Sequence, residues 1–225
     1  IAWFCANTDS APTMSGSKNQ PLHLQLFSLA NRARHWMHRN TVSGSKHNIH
    51  AHYDLGNRFY ELWLDPTMTY SAALFEAPDQ QLEAAQIAKY DRLCRQLRLK
   101  PGHEVLEIGS GWGGFTSHAV RKYGCRVTTV TISTEQHRFA QERFQREGIA
   151  HRAEVLLMDY RKLPELGRRF DRIVSIEMLE AVGDAFLETY FDVVQRLLWP
   201  GGLFAAQFIT CPDSRYNELR RGVDW

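Results

Sequence analysis

The sequence predicts an α/β protein: a Rossmann-like, doubly wound, mainly parallel sheet preceded by an α-helical N-terminal segment. Three observations predict it. From residue 101 onward, short apolar runs alternate with stretches of helical periodicity. The apolar runs are nearly continuous, as strands are when helices cover both faces. One of them, Val105-Leu106-Glu107-Ile108, runs straight into the glycine-rich turn Gly109-Ser110-Gly111-Trp112-Gly113-Gly114 and then a helix.

Taken in order, residues 1–20 read as a flexible leader, small and polar over 8–20. Over 21–40, Leu22, Leu26, Leu29, Ala33 and Trp36 recur at helical spacing, with Arg32, Arg34, His38 and Arg39 between them. Such a helix suits either a lipid surface or packing on the protein body. Ser43-Gly44-Ser45 reads as a hinge, and 80–97 as a long helix ending before the stop signal Pro101-Gly102. Residues 21–100 thus form a helical front. The core, 101–225, then reads as strand 104–108, helix 113–123, strand 126–132, helix 135–147, strands 153–157 and 171–176, helix 185–198 and strand 203–209.

Composition narrows the function classes. With 225 residues, 23% charged and without low-complexity tracts, the chain is not disordered as a whole. No run of 18 apolar residues is present, so nothing reads as a membrane-spanning helix. Cys5, Cys94, Cys125 and Cys211 form no CxxC pair, which argues for a reducing compartment without structural zinc. His47, His50 and His52 match no common ligand spacing, and no metal is expected. The net charge is +2, but residues 1–52 carry +4 of formal charge, against −2 for the rest. That basic front suits an anionic partner, either a membrane surface or a nucleic acid, or is simply a solvated face. No cleavable signal is recognisable. The chain starts at Ile1, which suggests a start inside a longer protein.

The glycine turn brings backbone close to a ligand at a helix start. Gly109-x-Gly111-x-x-Gly114 also fits a dinucleotide fingerprint. Two details point elsewhere. Glu107, two residues before the first glycine, would repel a pyrophosphate. The second strand ends in Thr131-Ile132-Ser133, without an acid for a ribose diol. A cationic ligand such as S-adenosylmethionine suits Glu107 better.

HYDLGNRFYELWLD (52–65), MTYSAALF (68–75), LEIGSGWGG (106–114), TISTEQ (131–136), DRIVSIEMLEAVG (171–183) and PGGLFAAQFIT (200–210) occur in this order. On them the chain resembles the cyclopropane-fatty-acid synthase and mycolic-acid cyclopropane synthase family of S-adenosylmethionine-dependent methyltransferases. The resemblance implies transfer of a methyl(ene) carbon to the double bond of an unsaturated phospholipid acyl chain, with ring closure. It implies a bound bicarbonate or carbonate as proton acceptor. It also implies a peripheral place on the cytoplasmic side of an anionic inner membrane, with no nucleic-acid partner. For the cofactor it implies Tyr53, Tyr70, Ser71, Glu107, Gly109, Ser110, Gly111, Trp112, Gly113, Thr131, Ile132, Ser133, Gln136, Asp159 and Tyr160. Among these Gln136 is the side-chain donor and Tyr160 the ring against adenine, beneath a helical cover formed by 21–100.

For the proton-accepting site the resemblance implies Glu180, Gln207 and Ile209, the last through its backbone. The chain departs from the family pattern at Ala72, where a cysteine is usual, and at Gln207, where a histidine is usual. Glutamine hydrogen-bonds but cannot titrate. These changes bear on ring closure more than on cofactor binding. The family fold continues past this point with further strands, a substrate cover and a catalytic tyrosine, so the sequence is expected to be C-terminally incomplete. Two other readings stay open: methyl transfer without ring closure, to a lipid or a soluble small molecule, and a non-catalytic cofactor- or lipid-binding remnant.

Overall fold

The elements follow one another as α1 (Asn57–Tyr60), α2 (Leu82–Gln96), β1 (Glu104–Ile108), α3 (Gly114–Tyr123), β2 (Arg126–Thr131), α4 (Thr134–Arg146) and β3 (Ala153–Leu157). A 3-10 helix (Tyr160–Leu166), β4 (Phe170–Ile176), α5 (Leu179–Val182), a second 3-10 turn (Asp184–Phe186), α6 (Leu187–Leu197) and β5 (Leu198–Gln207) complete them. This computed structural model describes residues 56–214 and residue 216. The chain divides into a unit of Ile1–Gly44 with Thr210–Trp225 and a unit of Ser45–Ile209, and the architecture given is that of the second. The leader, the 21–40 helix, the hinge, the three clustered histidines and Tyr53 lie outside the described residues.

The five strands pair in parallel in the order β3-β2-β1-β4-β5. Strand order reverses between β1 and β4. In an open α/β sheet, the crevice beyond the C-terminal ends of the strands at that reversal is where ligands bind. The glycine turn follows β1, and Glu177-Met178-Leu179-Glu180 follow β4.

Alternate residues of β1 enter opposite layers, as the pleat requires. Val105 joins Leu93, Leu97, Phe115, Ala119 and Phe144. Leu106 and Ile108 join Ile173, Tyr190, Val194 and Leu197. Each fully buried side chain of this size stabilises by roughly 1.5–3 kcal/mol. A surface ion pair such as Arg138–Glu135 contributes at most about 1 kcal/mol, so the two apolar layers hold the sheet.

The expected sheet is present, with strands 104–108 and 153–157 at their expected bounds. Most other bounds shift by one or two residues, and three of the shifts have a plain physical reason. The helix expected from residue 113 starts at Gly114, because Gly113 is its N-cap in the left-handed region. Strand 126–132 stops at Thr131, whose hydroxyl accepts the Ser133 N–H and turns the chain toward α4. The last strand spans Leu198–Gln207 rather than 203–209. Leu198 already pairs with Phe170, the register then shifts, and pairing resumes at Leu203 with Arg172. Pro200 and Gly201 hide that early pairing from a sequence reading. At the far end the Ile209 N–H leaves the ladder for Glu180.

Candidate active site

The loop after β1 is pinned where it starts: Gly109 and Ser110 N–H both donate to Val130 O of β2, at 3.1 and 2.9 Å. Its φ values at Gly109, Gly111 and Gly113 are +96°, +46° and +83°, which favour glycine. The glycines serve two purposes. A Cβ on Gly111 would meet nothing within 4 Å, so the loop is open there to an approaching group. A Cβ on Gly113 would lie 2.8 Å from the Phe144 ring, and one on Gly114 2.5 Å from the Tyr90 hydroxyl, so those two are packing glycines. Ser110 is buried and donates its hydroxyl to Gly111 O at 2.9 Å, bracing the open point.

Glu107 is 2% exposed, and its Oε2 accepts the Thr116 hydroxyl of α3 at 2.6 Å. Burial pushes its carboxyl up to about 7, against the opposing pull of the Thr116 bond and of Arg143. Near neutral pH it is therefore divided between acid and carboxylate, and a nearby cation would favour the carboxylate. The structure ties this acid to the helix that follows the loop.

One wall is aromatic. Trp112 is 2% exposed, donates Nε1–H to Asn57 Oδ1 at 2.7 Å and packs its ring 4.9 Å from Tyr60. Tyr60 meets Tyr70 at 5.6 Å, and Tyr70 meets Trp63 at 5.4 Å. Asp65 organises the turn that carries Tyr70. Its carboxylate accepts the Thr67 N–H at 2.9 Å and the Thr67 hydroxyl at 2.5 Å. Thr69 Oγ1 links Thr67 to the Tyr90 hydroxyl of α2. Ser71 is held from α2 as well: its carbonyl accepts Gln86 Nε2 at 2.9 Å and its hydroxyl accepts Lys89 Nζ at 2.6 Å. Lys89 is 3% exposed; burial brings its ammonium down to about 8, while the carboxylates of Glu177 and Asp65 favour its charge. Gln86 and Lys89 escaped the sequence reading. Their i, i+3 spacing places them on one helix face, but polar residues on an amphipathic helix read as solvated.

The residues expected to hold the proton acceptor do converge. Glu180, in α5, accepts the Ile209 N–H on Oε1 at 2.5 Å. Gln207, at the end of β5, donates Nε2–H to Ala72 O and to Glu177 Oε1, both at 3.0 Å. The Ala72 N–H donates to the same Glu177 Oε1 at 2.7 Å, and the Glu177 N–H donates to Gln207 O at 2.7 Å. Glu177 was not anticipated. Its φ is +47°, a left-handed conformation that costs a non-glycine residue roughly 1–2 kcal/mol. Among the described residues three non-glycines have positive φ, Met68, Arg98 and Glu177, and two of them stand in the walls of this site.

Beyond β2, Ser133 caps α4 by accepting the Gln136 N–H, and the buried Gln136 accepts the Thr131 hydroxyl on Oε1 at 2.8 Å. That contact orients the amide nitrogen as the donor. Ile132, between them, is half-buried. Asp159 spends both carboxylate oxygens on Arg161, at 2.8 and 2.6 Å, and caps the 3-10 helix. Tyr160 is buried against Tyr190 with ring centroids 5.2 Å apart.

A five-stranded parallel sheet in this order, with a glycine loop after β1 and polar groups gathered where strand order reverses, defines a class I methyltransferase domain of the Rossmann-like type. The chain belongs to the family described as Mycolic acid cyclopropane synthetase, whose model matches residues 41–225. It is 43% identical over 175 residues to a probable fatty acid methyltransferase of Pseudomonas putida, covering 78% of this chain and 44% of that protein. It is 40% identical over 215 residues to the cyclopropane-fatty-acyl-phospholipid synthase of Escherichia coli K12, covering 90% and 52%. The crystal structure of mycolic acid cyclopropane synthase CmaA1 complexed with SAH and CTAB superposes with a TM-score of 0.68 at 37% identity, covering 72% of this chain and 55% of that one. The chain spans about half the length of these relatives.

Proposed function

We propose that the protein carrying this chain transfers a methyl(ene) carbon from S-adenosylmethionine to the double bond of an unsaturated phospholipid acyl chain and closes a cyclopropane ring. The observation that carries this reading is the juxtaposition, at the strand-order reversal, of Glu177 and Glu180 with exposed apolar side chains. Trp63, Tyr70 and Phe75 lie on the segment leading to Ala72 and around it, and Phe208 and Ile209 follow Gln207; all five are at least 44% exposed. Apolar surface beside a pair of acids suits a hydrocarbon acceptor that must lose a proton. The relatives' names, a fatty acid methyltransferase and an acyl-phospholipid synthase, support the same substrate class.

The chain's residues fit the cofactor. The open point at Gly111 and the start of α3 admit a ligand close to backbone. That the CmaA1 structure is a complex with SAH supports a cofactor of this kind. When bound, S-adenosylmethionine supplies an electrophilic methyl on a sulfonium. Gly109, Gly111 and Gly113 shape the loop around it, with Ser110 bracing the loop and Trp112 closing it from the aromatic wall. Gln136 donates from its amide to the sugar or base, held by Thr131, while Ile132 and Ser133 set the start of α4. Asp159 and Tyr160 border the adenine end through the loop that they fix. Tyr70 and Ser71 are assigned to the methyl side, with Ser71 held by Lys89 and Gln86, and Tyr53 is assigned to the same side from the sequence. A bicarbonate or carbonate ion does not fit the donors as they stand, because the Ala72 N–H and the Gln207 amide are given to Glu177.

Incubating the protein with labelled S-adenosylmethionine and vesicles of unsaturated phospholipid tests this reading. Label in a cyclopropane-bearing lipid is expected; label in a soluble acceptor alone would overturn it. Methyl transfer without ring closure is the second reading, favoured by Ala72 and Gln207 and by the Pseudomonas relative. Label in an acyl chain without a ring would establish it.

We also propose peripheral docking on the cytoplasmic face of an anionic membrane through the basic residues of 1–52. No helix among the described residues is long and apolar enough to cross a membrane. Binding to anionic vesicles is expected to weaken with salt and on charge reversal of Arg32, Arg34 and Arg39. Salt-insensitive binding would refute an electrostatic dock.

A further inference from the structure

We propose that Glu177 is itself the proton acceptor of the reaction, its carboxylate standing on the donors that a bound carbonate-type anion would need. This rests on the acyl-chain reading above.

Three donors converge where β4 and β5 end: the Ala72 N–H, the Gln207 amide and the Ile209 N–H. The first two are committed to one oxygen of Glu177, and the third to Glu180. An added anion would have to displace one of these carboxylates and then sit beside both, which like-charge repulsion opposes. Glu177 thus brings to the cluster what an external anion would: a carboxylate oxygen held by a backbone amide and a side-chain amide. Its other oxygen, Oε2, takes part in neither bond.

The backbone points the same way. Residue 177 lies in the left-handed region, where glycine would sit without steric cost, yet it carries an acid. Its own N–H on Gln207 O fixes the conformation and closes a reciprocal pair with the Gln207 amide. Strain held by surrounding contacts marks functional positions. The neighbour Met178 would touch a Cβ on Gly109 at 3.5 Å while Glu177 itself holds the Ala72 N–H, so residues 177 and 178 reach from the glycine loop to the Ala72 segment. Glu180 is the positioning residue: its carboxylate holds the Ile209 N–H and sets the end of the 207–209 segment.

In the step proposed, the π electrons of the acyl double bond form a bond to the methyl carbon. The carbon–sulfur bond breaks, and its electron pair stays on sulfur. One C–H bond of the transferred methyl then gives its proton to the Glu177 carboxylate. The electron pair of that C–H bond closes the third side of the ring at the cationic carbon. The protonated carboxyl returns its proton to water.

Two variants and two readouts test this. Ring formation is measured in CO2-depleted buffer and with added bicarbonate, and ¹³C-bicarbonate binding is followed by NMR on the same proteins. The parent is expected to keep its rate without bicarbonate and to show no bicarbonate binding. Glu177→Gln should lower ring formation on the order of a hundredfold with S-adenosylmethionine affinity unchanged. Glu177→Gly relieves the left-handed conformation and frees both donors, so it should bind ¹³C-bicarbonate and regain activity with bicarbonate or formate. A parent that binds bicarbonate and slows on its removal overturns the proposal, as does a Glu177→Gln enzyme as fast as the parent. If the parent transfers no carbon to lipid under any condition, the acyl-chain reading fails, and the NMR contrast between parent and Glu177→Gly still decides what occupies the donors.

Discussion

Gly114→Ala puts the packing of the glycine loop against α2 to a quantitative test. The added Cβ would lie 2.5 Å from the Tyr90 hydroxyl and 3.2 Å from the Thr67 carbonyl oxygen. The carbonyl has little room to move, since it also accepts Arg143 NH1 at 2.8 Å. Tyr90 must yield, and its hydroxyl then leaves Thr69. Overpacking of this kind costs roughly 1–3 kcal/mol, and a buried hydroxyl without a partner about 1–3 kcal/mol more. The better helix propensity of alanine returns at most about 1 kcal/mol. The net loss should be about 2–4 kcal/mol, a fall of roughly 5–15 °C in Tm for a chain of this length. Tyr90→Phe alone should cost about 1 kcal/mol, for the hydrogen bond. Because it removes the worst of the clashing atoms, leaving the ring Cζ and the Thr67 oxygen at 3.2 Å, Gly114→Ala should cost clearly less, about 1–2 kcal/mol, in the Tyr90→Phe background. Urea unfolding of the parent, the two single variants and the double variant gives the coupling directly. Additive losses would show that the two groups do not meet.

Three further outcomes are expected. Burial raises the Glu107 carboxyl from its ordinary value of 4.5 to about 7, so the folded protein keeps a proton that the unfolded chain releases over that interval. Stability should therefore fall as pH rises from about 4.5 to about 7, by on the order of 3 kcal/mol, and Glu107→Gln should flatten this part of the curve in denaturant titrations at several pH values. Gly111→Val should abolish S-adenosylmethionine binding in calorimetry while leaving a folded protein, because its side chain enters open space rather than the core and its left-handed φ costs only about 1–2 kcal/mol; retained affinity would refute the backbone approach at that point. Glu180→Ala should lower ring formation on the order of tenfold or more with little change in cofactor affinity, through loss of the bond that sets the 207–209 segment, while Glu180→Gln, whose amide oxygen still accepts the Ile209 N–H, should keep most of the rate; an unchanged rate in Glu180→Ala would make Glu180 an ordinary helix-start acid.

The sheet was legible because buried parallel strands have a plain signature. Glu104–Ile108 and Ala153–Leu157 are apolar runs of strand length between turn signals. The glycine loop was legible as a motif, but not the division of its glycines between an open face and a packed one, since Phe144 and Tyr90 come from distant helices. Glu180, Gln207 and Ile209 were reached through the family pattern, and the structure brings them together. Glu177 was not reached, because its place follows from a backbone angle and from two donors 105 and 30 residues away in sequence. Lys89 was hidden for a related reason: helical periodicity records which face a residue occupies, not that another segment will cover that face.

The guanidinium of Arg143 donates to Thr67 O at 2.8 Å and to Trp112 O at 3.4 Å, while its Nε holds Glu147. One side chain of α4 thus spans two segments that are far apart in sequence. Local opening of the Asp65–Thr69 turn then takes a hydrogen bond from the glycine loop's anchor, and loosening of the loop does the same to the turn. The two stretches should behave as one cooperative unit in native-state hydrogen exchange, with the amides around Met68 and Gly113 released by a shared opening.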